Sequence, residues 1–496
     1  MDNNAVKKVV IAGGGTAGWI AAAVLSKTFE KTIDICLVES DEIPTVGVGE
    51  ATIPPLQLLH RVLDISEREF LSAVNGTFKL GIQFENWLNI GESYIHSFGA
   101  AGKSDYAVQF IQYWMAGKNQ GIHFPYGDYC AEHLAMRENK FAIGSTTGLN
   151  YAYHFDAGLY AKLLRTYSEN KGVKRIEGKI TKIKTNSTNG FIEALCLDSG
   201  GVVEGDFFID CTGFKALLIE QTLHTEYVDW SHWLPCDRAL AVQTETVSEP
   251  PPFTRSIAHD AGWQWRIPLQ HRVGNGLVYC SRYLDDDAAT KKLLSNIEGR
   301  PITTPKIIQF RTGTRTKQWN KNCVALGLSS GFLEPLESTS IHLIQNNALR
   351  LAKLFPVNGI CEEEVNEFNT QSKVEIERIR DFIILHYCVT ERSDSPFWQY
   401  CRTMDIPISL RHRIELFRKT GKVFKAEADL FGEESWIQVM LGQGITPEAF
   451  HVAANSLGDS GLQFFLEKIR SNTQQNVGRL PRHIDYINHY CKSTAF

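Results

Sequence analysis

Two tryptophans stand two residues apart in Gly262-Trp263-Gln264-Trp265-Arg266-Ile267-Pro268. In an extended segment both rings point to one side, so they can wall a slot for a flat molecule. Taken alone, the pair also suits a hydrophobic core. Near the start of the chain Gly13-Gly14-Gly15-Thr16-Ala17-Gly18 fits G-x-G-x-x-G, and Glu39 follows 21 residues after Gly18. Glycines let the backbone approach a pyrophosphate, the N-terminus of the next helix stabilises its charge, and the acid accepts from ribose hydroxyls. A carboxylate at that place disfavours a 2′-phosphate. The segment Val46-Gly47-Val48-Gly49-Glu50-Ala51-Thr52-Ile53-Pro54 carries small residues, Gly49 and Ala51 among them, that let a loop lie against a flat ring.

These residues need elements to hold them. Residues 7–12 read as a buried parallel strand, Ala17 to Phe29 as a helix and 33–39 as a second strand, which completes a βαβ unit around the glycine turn. Residues 80–150 are aromatic, glycine-rich and irregular. His154 to Lys171 reads as a helix, and 175–184, 191–198 and 202–209 as strands. Residues 248–253 (Ser-Glu-Pro-Pro-Pro-Phe) form a loop. Val324 to Leu328 is another strand candidate whose last residue, Leu328, joins the cofactor-contacting set. Ile341 to Leu354 reads as a helix, and 362–388 as one long helix. No linker or repeat interrupts the chain, so one intertwined enzyme is expected. A single glycine motif points to FAD rather than a pyridine nucleotide, because Gly442-Gln443-Gly444 lacks the third glycine.

Bulk properties exclude several classes. The 496 residues suffice for a large enzyme. A net charge of −5 gives no reason to expect nucleic acid or an anionic membrane as partner. No apolar run approaches the ~20 residues of a membrane span, and no signal peptide is expected ahead of the first strand. The 11 cysteines form no C-x-x-C pair and read as reduced thiols in a cytosolic (cytoplasmic) protein, not as a zinc or disulfide framework.

Taken together, the chain resembles the flavin-dependent halogenases, the group named after tryptophan halogenase. The resemblance rests on the glycine motif, Phe78-Lys79-Leu80-Gly81, Gly-Trp-Gln-Trp-Arg-Ile-Pro at 262–268, and Gly-Phe-Leu-Glu-Pro-Leu-Glu-Ser-Thr-Ser at 331–340. Asp210-Cys211-Thr212-Gly213 also looks like the family and lacks the Asp-Gly followed by Ser-x-x-Arg of hydroxylating relatives. The implied fold is α/β: an FAD-binding Rossmann-like module of flavin monooxygenase type (1–98, 140–215 and 302–356) and a mostly helical substrate module (99–139, 216–301 and 357–496).

The resemblance implies FAD, delivered reduced by a separate flavin reductase, and a halide, chloride or bromide. Oxygen and halide yield hypohalous acid beside the flavin, and the oxidant travels to a lysine next to a small aromatic substrate. Lys79 is that lysine. Phe78, Leu80, Ile82 and Phe84 alternate, so Lys79 is expected to share the other face with Gly81 and Gln83, Gly81 leaving room for a small oxidant. An ammonium would hydrogen-bond hypohalous acid; a neutral amine would form a haloamine. Both remain open. Family spacing selects Glu337 over Glu334 as the proton acceptor. Ser338-Thr339-Ser340 precedes a helix, and the amides of Thr339 and Ser340 are expected to hold halide, alongside an ordinary Ser/Thr cap. Tryptophan halogenases usually have Gly where this chain has Ser340, so bromide is favoured over chloride. His96 and Phe98 are expected to line the substrate pocket, with Trp263 and Trp265 beside the oxidant path or the substrate. Residues 432–446 show no Tyr-Tyr pair for a zwitterion, which favours indole-type substrates over free tryptophan. The rival reading is a hydroxylating FAD monooxygenase. A homodimer is left open.

Overall fold

A computed structural model describes residues 5–43, 50–144 and 148–493. The hydrophobic stretch around the glycine turn folds as expected. Lys8–Ala12 lies at the middle of a sheet, parallel to Asp34–Glu39 on one side and Phe207–Asp210 on the other. Lys174–Glu177 and the hairpin Trp319–Asn320/Cys323–Ala325 complete six strands. The helix Thr16–Phe29 buries every residue from Gly18 to Ser26. A helix apolar all round must be covered on several sides, and Ala157–Asn170 and Ser340–Lys353 pack against it.

The second large element is a seven-stranded sheet. Lys306–Gln309, Arg238–Thr244, Val273–Tyr279, Gly262–Pro268, Thr254–His259, Gly81–Glu85 and Ser93–Ser97 lie side by side in that order. This sheet draws strands from both sets of ranges expected for the two modules, so the sheets do not follow that division. The helix Glu362–Cys388 and most of the shorter helices after it share a core with this sheet, while the last helix, His483–Tyr490, packs into the core of the glycine-turn sheet. A small sheet joins Glu50–Ala51, Ala152–Phe155 and Thr77–Lys79.

Several expected elements are divided where tertiary pairing overrides local pattern. The helix expected from His154 begins at Ala157, because Ala152–Phe155 is a strand paired on both sides and Asp156 caps the helix by accepting from the Leu159 amide. The strand expected over 175–184 splits at Gly178 into Lys174–Glu177 and Ile180–Thr185, which enter different sheets. The 202–209 strand splits likewise into Val202–Glu204 and Phe207–Asp210. The strand expected over 324–328 ends at Ala325 and continues as a single 3₁₀ turn, Gly327–Ser329. The 80–150 stretch contains strands at Gly81–Glu85 and Ser93–Ser97 and helices at Phe110–Asn119 and Ala131–Arg137.

The most consequential division lies at Leu80. Thr77–Lys79 ends in the small sheet and Gly81–Glu85 begins in the large one, while the Leu80 amide donates to the Pro252 carbonyl at 2.7 Å. Lys79, Gly81 and Gln83 therefore do not form one continuous face. A Cβ at Gly81 would stand 2.4 Å from the His96 carbonyl oxygen and 2.7 Å from the Ser97 Cα. Gly81 admits the close approach of a neighbouring strand, not a passage for oxidant.

Candidate active site

The glycine turn opens on a cavity of about 710 Å³. Gly13, Gly15, Thr16, Ala17, Glu39, Ala51 and Leu328 all line it. Three of the motif's glycines, Gly13, Gly14 and Gly18, are required sterically. Gly13 has φ +105°, and a Cβ there would stand 2.2 Å from the Cys211 carbonyl oxygen. A Cβ on Gly14 would collide with the Glu39 carboxylate, and one on Gly18 would stand 1.9 Å from the Gly13 carbonyl oxygen. Gly18 therefore acts by seating helix on turn rather than by lining the cavity. Arg175 Nε holds Glu39 at 2.6 Å, and Arg165 lies 3.6 Å away. The cradle, the anchored acid and the volume suit a dinucleotide lying along the turn. Gly49 lies outside the described residues. Glu50, beside it in sequence, lines the cavity, and burial raises its carboxyl to about 7.

Trp263 and Trp265 line the same cavity. The strand Gly262–Pro268 sends both rings to one side, 6.2 Å apart between centroids. Gly276 on the neighbouring strand makes room, since a Cβ there would meet the Trp265 ring at 2.0 Å. Trp263 Nε1 donates to Glu334 at 2.9 Å, and the Tyr387 hydroxyl donates to the same oxygen. Burial raises Glu334 to about 7 against those two bonds. Glu334 thus holds the tryptophan wall.

Lys79 is fully buried. Its ammonium donates to the Thr52 carbonyl at 3.0 Å and to Ser338 Oγ at 2.8 Å, and it sits 5.3 Å from the centre of the Phe98 ring. Burial lowers its pKa to about 7, against the pull of the Glu337 carboxylate. Both protonation states are thereby accessible near neutrality. Ser338 lines the cavity while Lys79 stands behind it. Ser338 also has φ +59°, a left-handed conformation uncommon for a residue with a Cβ.

Glu337 is equally buried. His96 Nδ1 lies 3.0 and 2.9 Å from its two oxygens. His386 Nε2 comes within 2.8 Å of Oε1 in a bent contact that makes no straight hydrogen bond. Burial alone would raise this carboxyl, but the two imidazoles outweigh it and hold Glu337 well below the usual carboxylate range. His386 carried no signal in the sequence, because one histidine inside a 27-residue helix has no local pattern. His96 Nε2 is buried with no hydrogen-bond partner, and Phe382 and Phe431 pack around the ring.

Ser338, Thr339 and Ser340 line the cavity at the start of the helix Ser340–Lys353. The ordinary side-chain cap is absent: Thr339 occupies the cap position without a capping bond. The first amides of this helix therefore remain available to an anion. Among the described residues no group of three His, Cys, Asp or Glu side chains is placed to hold a metal, and no helix is long and apolar enough to cross a membrane. All eleven cysteines are free thiols.

The C-terminal stretch that could have carried zwitterion-binding groups is committed elsewhere. Glu434 accepts from the Tyr126 hydroxyl at 2.9 Å and the Ala101 amide at 3.2 Å, and burial raises it to about 7. Glu433 accepts from Gln109 at 2.7 Å. The structure thus gathers the glycine turn, the tryptophans and the 338–340 turn around one cavity. It places Lys79, Glu337, His96 and Phe98 outside the lining of that cavity, and ties Lys79 to it through Ser338.

Comparison with known proteins agrees with this geometry. A model of the tryptophan halogenase family matches residues 8–459. Tryptophan 7-halogenase RebH of Lentzea aerocolonigenes is 33% identical over 483 residues, covering 90% of this chain and 91% of its own. Among solved structures, the flavin-dependent halogenase Xcc4156 from Xanthomonas campestris superposes with a TM-score of 0.97 at 53% identity, over 99% of this chain and all of that one. BrvH, a flavin-dependent halogenase from Brevundimonas sp. BAL3, gives 0.94 at 41% identity, over 98% and 99%. The chain belongs to the tryptophan halogenase family of flavin-dependent halogenases.

Proposed function

We propose that the protein halogenates an electron-rich aromatic ring of indole type, with Lys79 presenting the halogen and Glu337 receiving the ring proton. The observation that carries this reading is the full burial of both Lys79 and Glu337 just off the lining of the cavity that the glycine turn opens, with Lys79 bonded to the lining residue Ser338. The named relatives act on tryptophan or are flavin-dependent halogenases, which supports the same chemistry.

FAD is the group that fits the cavity. Gly13, Gly15 and the start of the helix at Thr16 would hold its diphosphate, Glu39 its ribose, and Ala51 and Leu328 the flat ring. When bound and reduced by a partner flavin reductase, it supplies with oxygen the oxidising equivalent that converts halide to hypohalous acid. The Thr339 and Ser340 amides position the halide. Ser338, which lines the cavity and accepts from Lys79, passes the oxidant to that lysine. With a pKa near 7, Lys79 is suited either to donate a hydrogen bond to hypohalous acid or to carry the halogen as a haloamine. Trp263 and Trp265 exclude water from the path. Glu337, held ionised, stabilises the cationic ring and takes its proton. Bromide is the preferred halide, since it is easier to oxidise than chloride and this chain carries Ser340 where the family resemblance implies glycine.

The test supplies FAD, a flavin reductase, NADH and chloride or bromide to the purified protein, with a panel of indoles, phenols and pyrroles read by mass spectrometry. A halogenated indole is the expected product, and NADH alone without reductase is not consumed. A hydroxylated product without halogen would replace this reading with that of a monooxygenase.

A further inference from the structure

We propose that Tyr94 and Gln443 are positioning residues that fix the tautomer of His386 through a hydrogen-bond chain ending on that ring, so that His386 turns an N–H rather than a lone pair toward the Glu337 carboxylate beside it. The proposal rests on the reading of Glu337 as the proton acceptor.

The direction follows from donor and acceptor counting. Gln443 follows the helix Glu433–Gly442, and its Nε2 donates to the His386 main-chain carbonyl at 2.8 Å and to the Tyr94 hydroxyl at 3.3 Å. A carbonyl only accepts, so it determines which end of the Gln443 amide faces this way. The Tyr94 oxygen therefore receives from Gln443, and its own hydrogen is left for His386 Nδ1, 2.8 Å away. A ring nitrogen that accepts carries no proton. In a neutral imidazole the proton then sits on Nε2, the atom 2.8 Å from Glu337 Oε1. Burial agrees with both ends: it lowers the His386 pKa, keeping the ring neutral, and raises Tyr94 well above its usual value, keeping the phenol protonated.

The packing holds the chain in place. Tyr94 stacks on Phe84 with centroids 4.8 Å apart and planes 5° from parallel, and Phe84 stacks in turn on His386 at 4.5 Å. Gly442 clears the Tyr94 ring, since a Cβ there would meet it at 2.5 Å. Three elements face Glu337: His96 from Ser93–Ser97, His386 from Glu362–Cys388 and Lys79 from Thr77–Lys79. Reversing the Tyr94 link would bring a bare nitrogen lone pair against an anion and displace it. In the step concerned the substrate C–H bond breaks, its electron pair returns to the ring, and the proton passes to the Glu337 carboxylate. The cationic ring becomes neutral and the carboxylate becomes the acid.

Tyr94→Phe keeps the ring stack and removes only the donor. With reductase, bromide and indole, kcat is expected to fall about tenfold while KM changes less than about twofold. A kinetic isotope effect with ring-deuterated indole should appear in the variant where the wild type has none, because proton removal has become slow. Oxygen-dependent flavin reoxidation should match wild type and certifies the fold. Nitrogen-15 NMR of histidine-labelled holoenzyme should show His386 protonated at Nε2 in wild type and a mixture in the variant. Gln443→Glu, which replaces a donor by an acceptor, should reproduce both effects. A Tyr94→Phe enzyme with wild-type kcat, or one that loses kcat without the isotope effect or tautomer change, overturns the proposal. A wild type that halogenates nothing yet shows the Nε2 tautomer overturns the proposed function and leaves the chain's direction standing.

Discussion

Lys79 Nζ and Ser338 Oγ stand 2.8 Å apart, one buried behind the cavity and the other on its lining. The serine is thus the point where the cofactor side and the lysine meet. Lys79 reaches it from a strand end, and Ser338 reaches it by adopting a left-handed backbone just before a helix.

Replacing Lys79 by Ala should abolish halogenation. Flavin reoxidation by oxygen should continue largely unchanged, because the lysine acts after that reaction in the proposed sequence. Single-turnover mixing of reduced holoenzyme with oxygen, with and without indole, separates the two. Near-wild-type bromoindole formation would remove Lys79 from the mechanism.

Lys79 also leaves a thermodynamic signature. Its folded pKa, about 7, lies below the 10.5 of the unfolded chain. Between those values the unfolded state binds more protons, so this residue makes stability rise with pH from about 7 to 10.5. Lys79→Met removes that dependence. The Tm of the variant relative to wild type should therefore be most favourable at pH 6.5 and decline toward pH 9.5, approximate pH values chosen to bracket the window. A Tm difference constant across this range would show that Lys79 is not desolvated in solution.

Glu337→Gln keeps shape but cannot take a proton. A slowed enzyme is expected, with kcat lower by roughly 10²–10³ and indole still bound. If kcat is unaffected, Glu334 becomes the acceptor to test. Glu334 is the weaker candidate because burial raises its carboxyl to about 7, whereas Glu337 is held well below the usual carboxylate range and so stands ionised to receive a proton.

Free tryptophan should be a poorer substrate than indole, and indole should react at C3, its most nucleophilic carbon. A buried zwitterion needs partners for both charges. Glu433 and Glu434, the acids of the C-terminal segment, are already occupied by Gln109, Tyr126 and the Ala101 amide. Competition between equal concentrations of the two substrates, read by mass spectrometry, decides the point; efficient benzo-ring chlorination of tryptophan would contradict it.

Legibility in the sequence followed the range of the forces involved. The glycine turn was readable because each glycine answers a local collision, at Gly13, Gly14 and Gly18. The helix 362–388 was readable because nothing within it breaks the pattern. The divisions at Gly178 and Leu80 were not, since alternation along a strand is silent about which sheet each half joins. His386 and Tyr94 were missed for a related reason: their meaning lies in contacts spanning 292 residues. Glu50 stood inside a quoted motif, yet only burial revealed its shifted carboxyl.

The step at Leu80 has an evolutionary reading. Phe78 and Leu80 belong to the core built around the glycine-turn sheet, whereas Ile82 and Phe84 belong to the core shared with the C-terminal helices. Lys79 is moored to the first by Thr52, and Glu337 to the second by His96 and His386. Lysine and carboxylate are thus measured by two separate rulers that touch at one residue. In the proposed mechanism, substitutions accumulating in the helical core would re-aim Glu337, and with it the ring position attacked, while the lysine keeps its distance from the cavity. A lineage with this architecture can drift through substrates without relearning how to handle the oxidant.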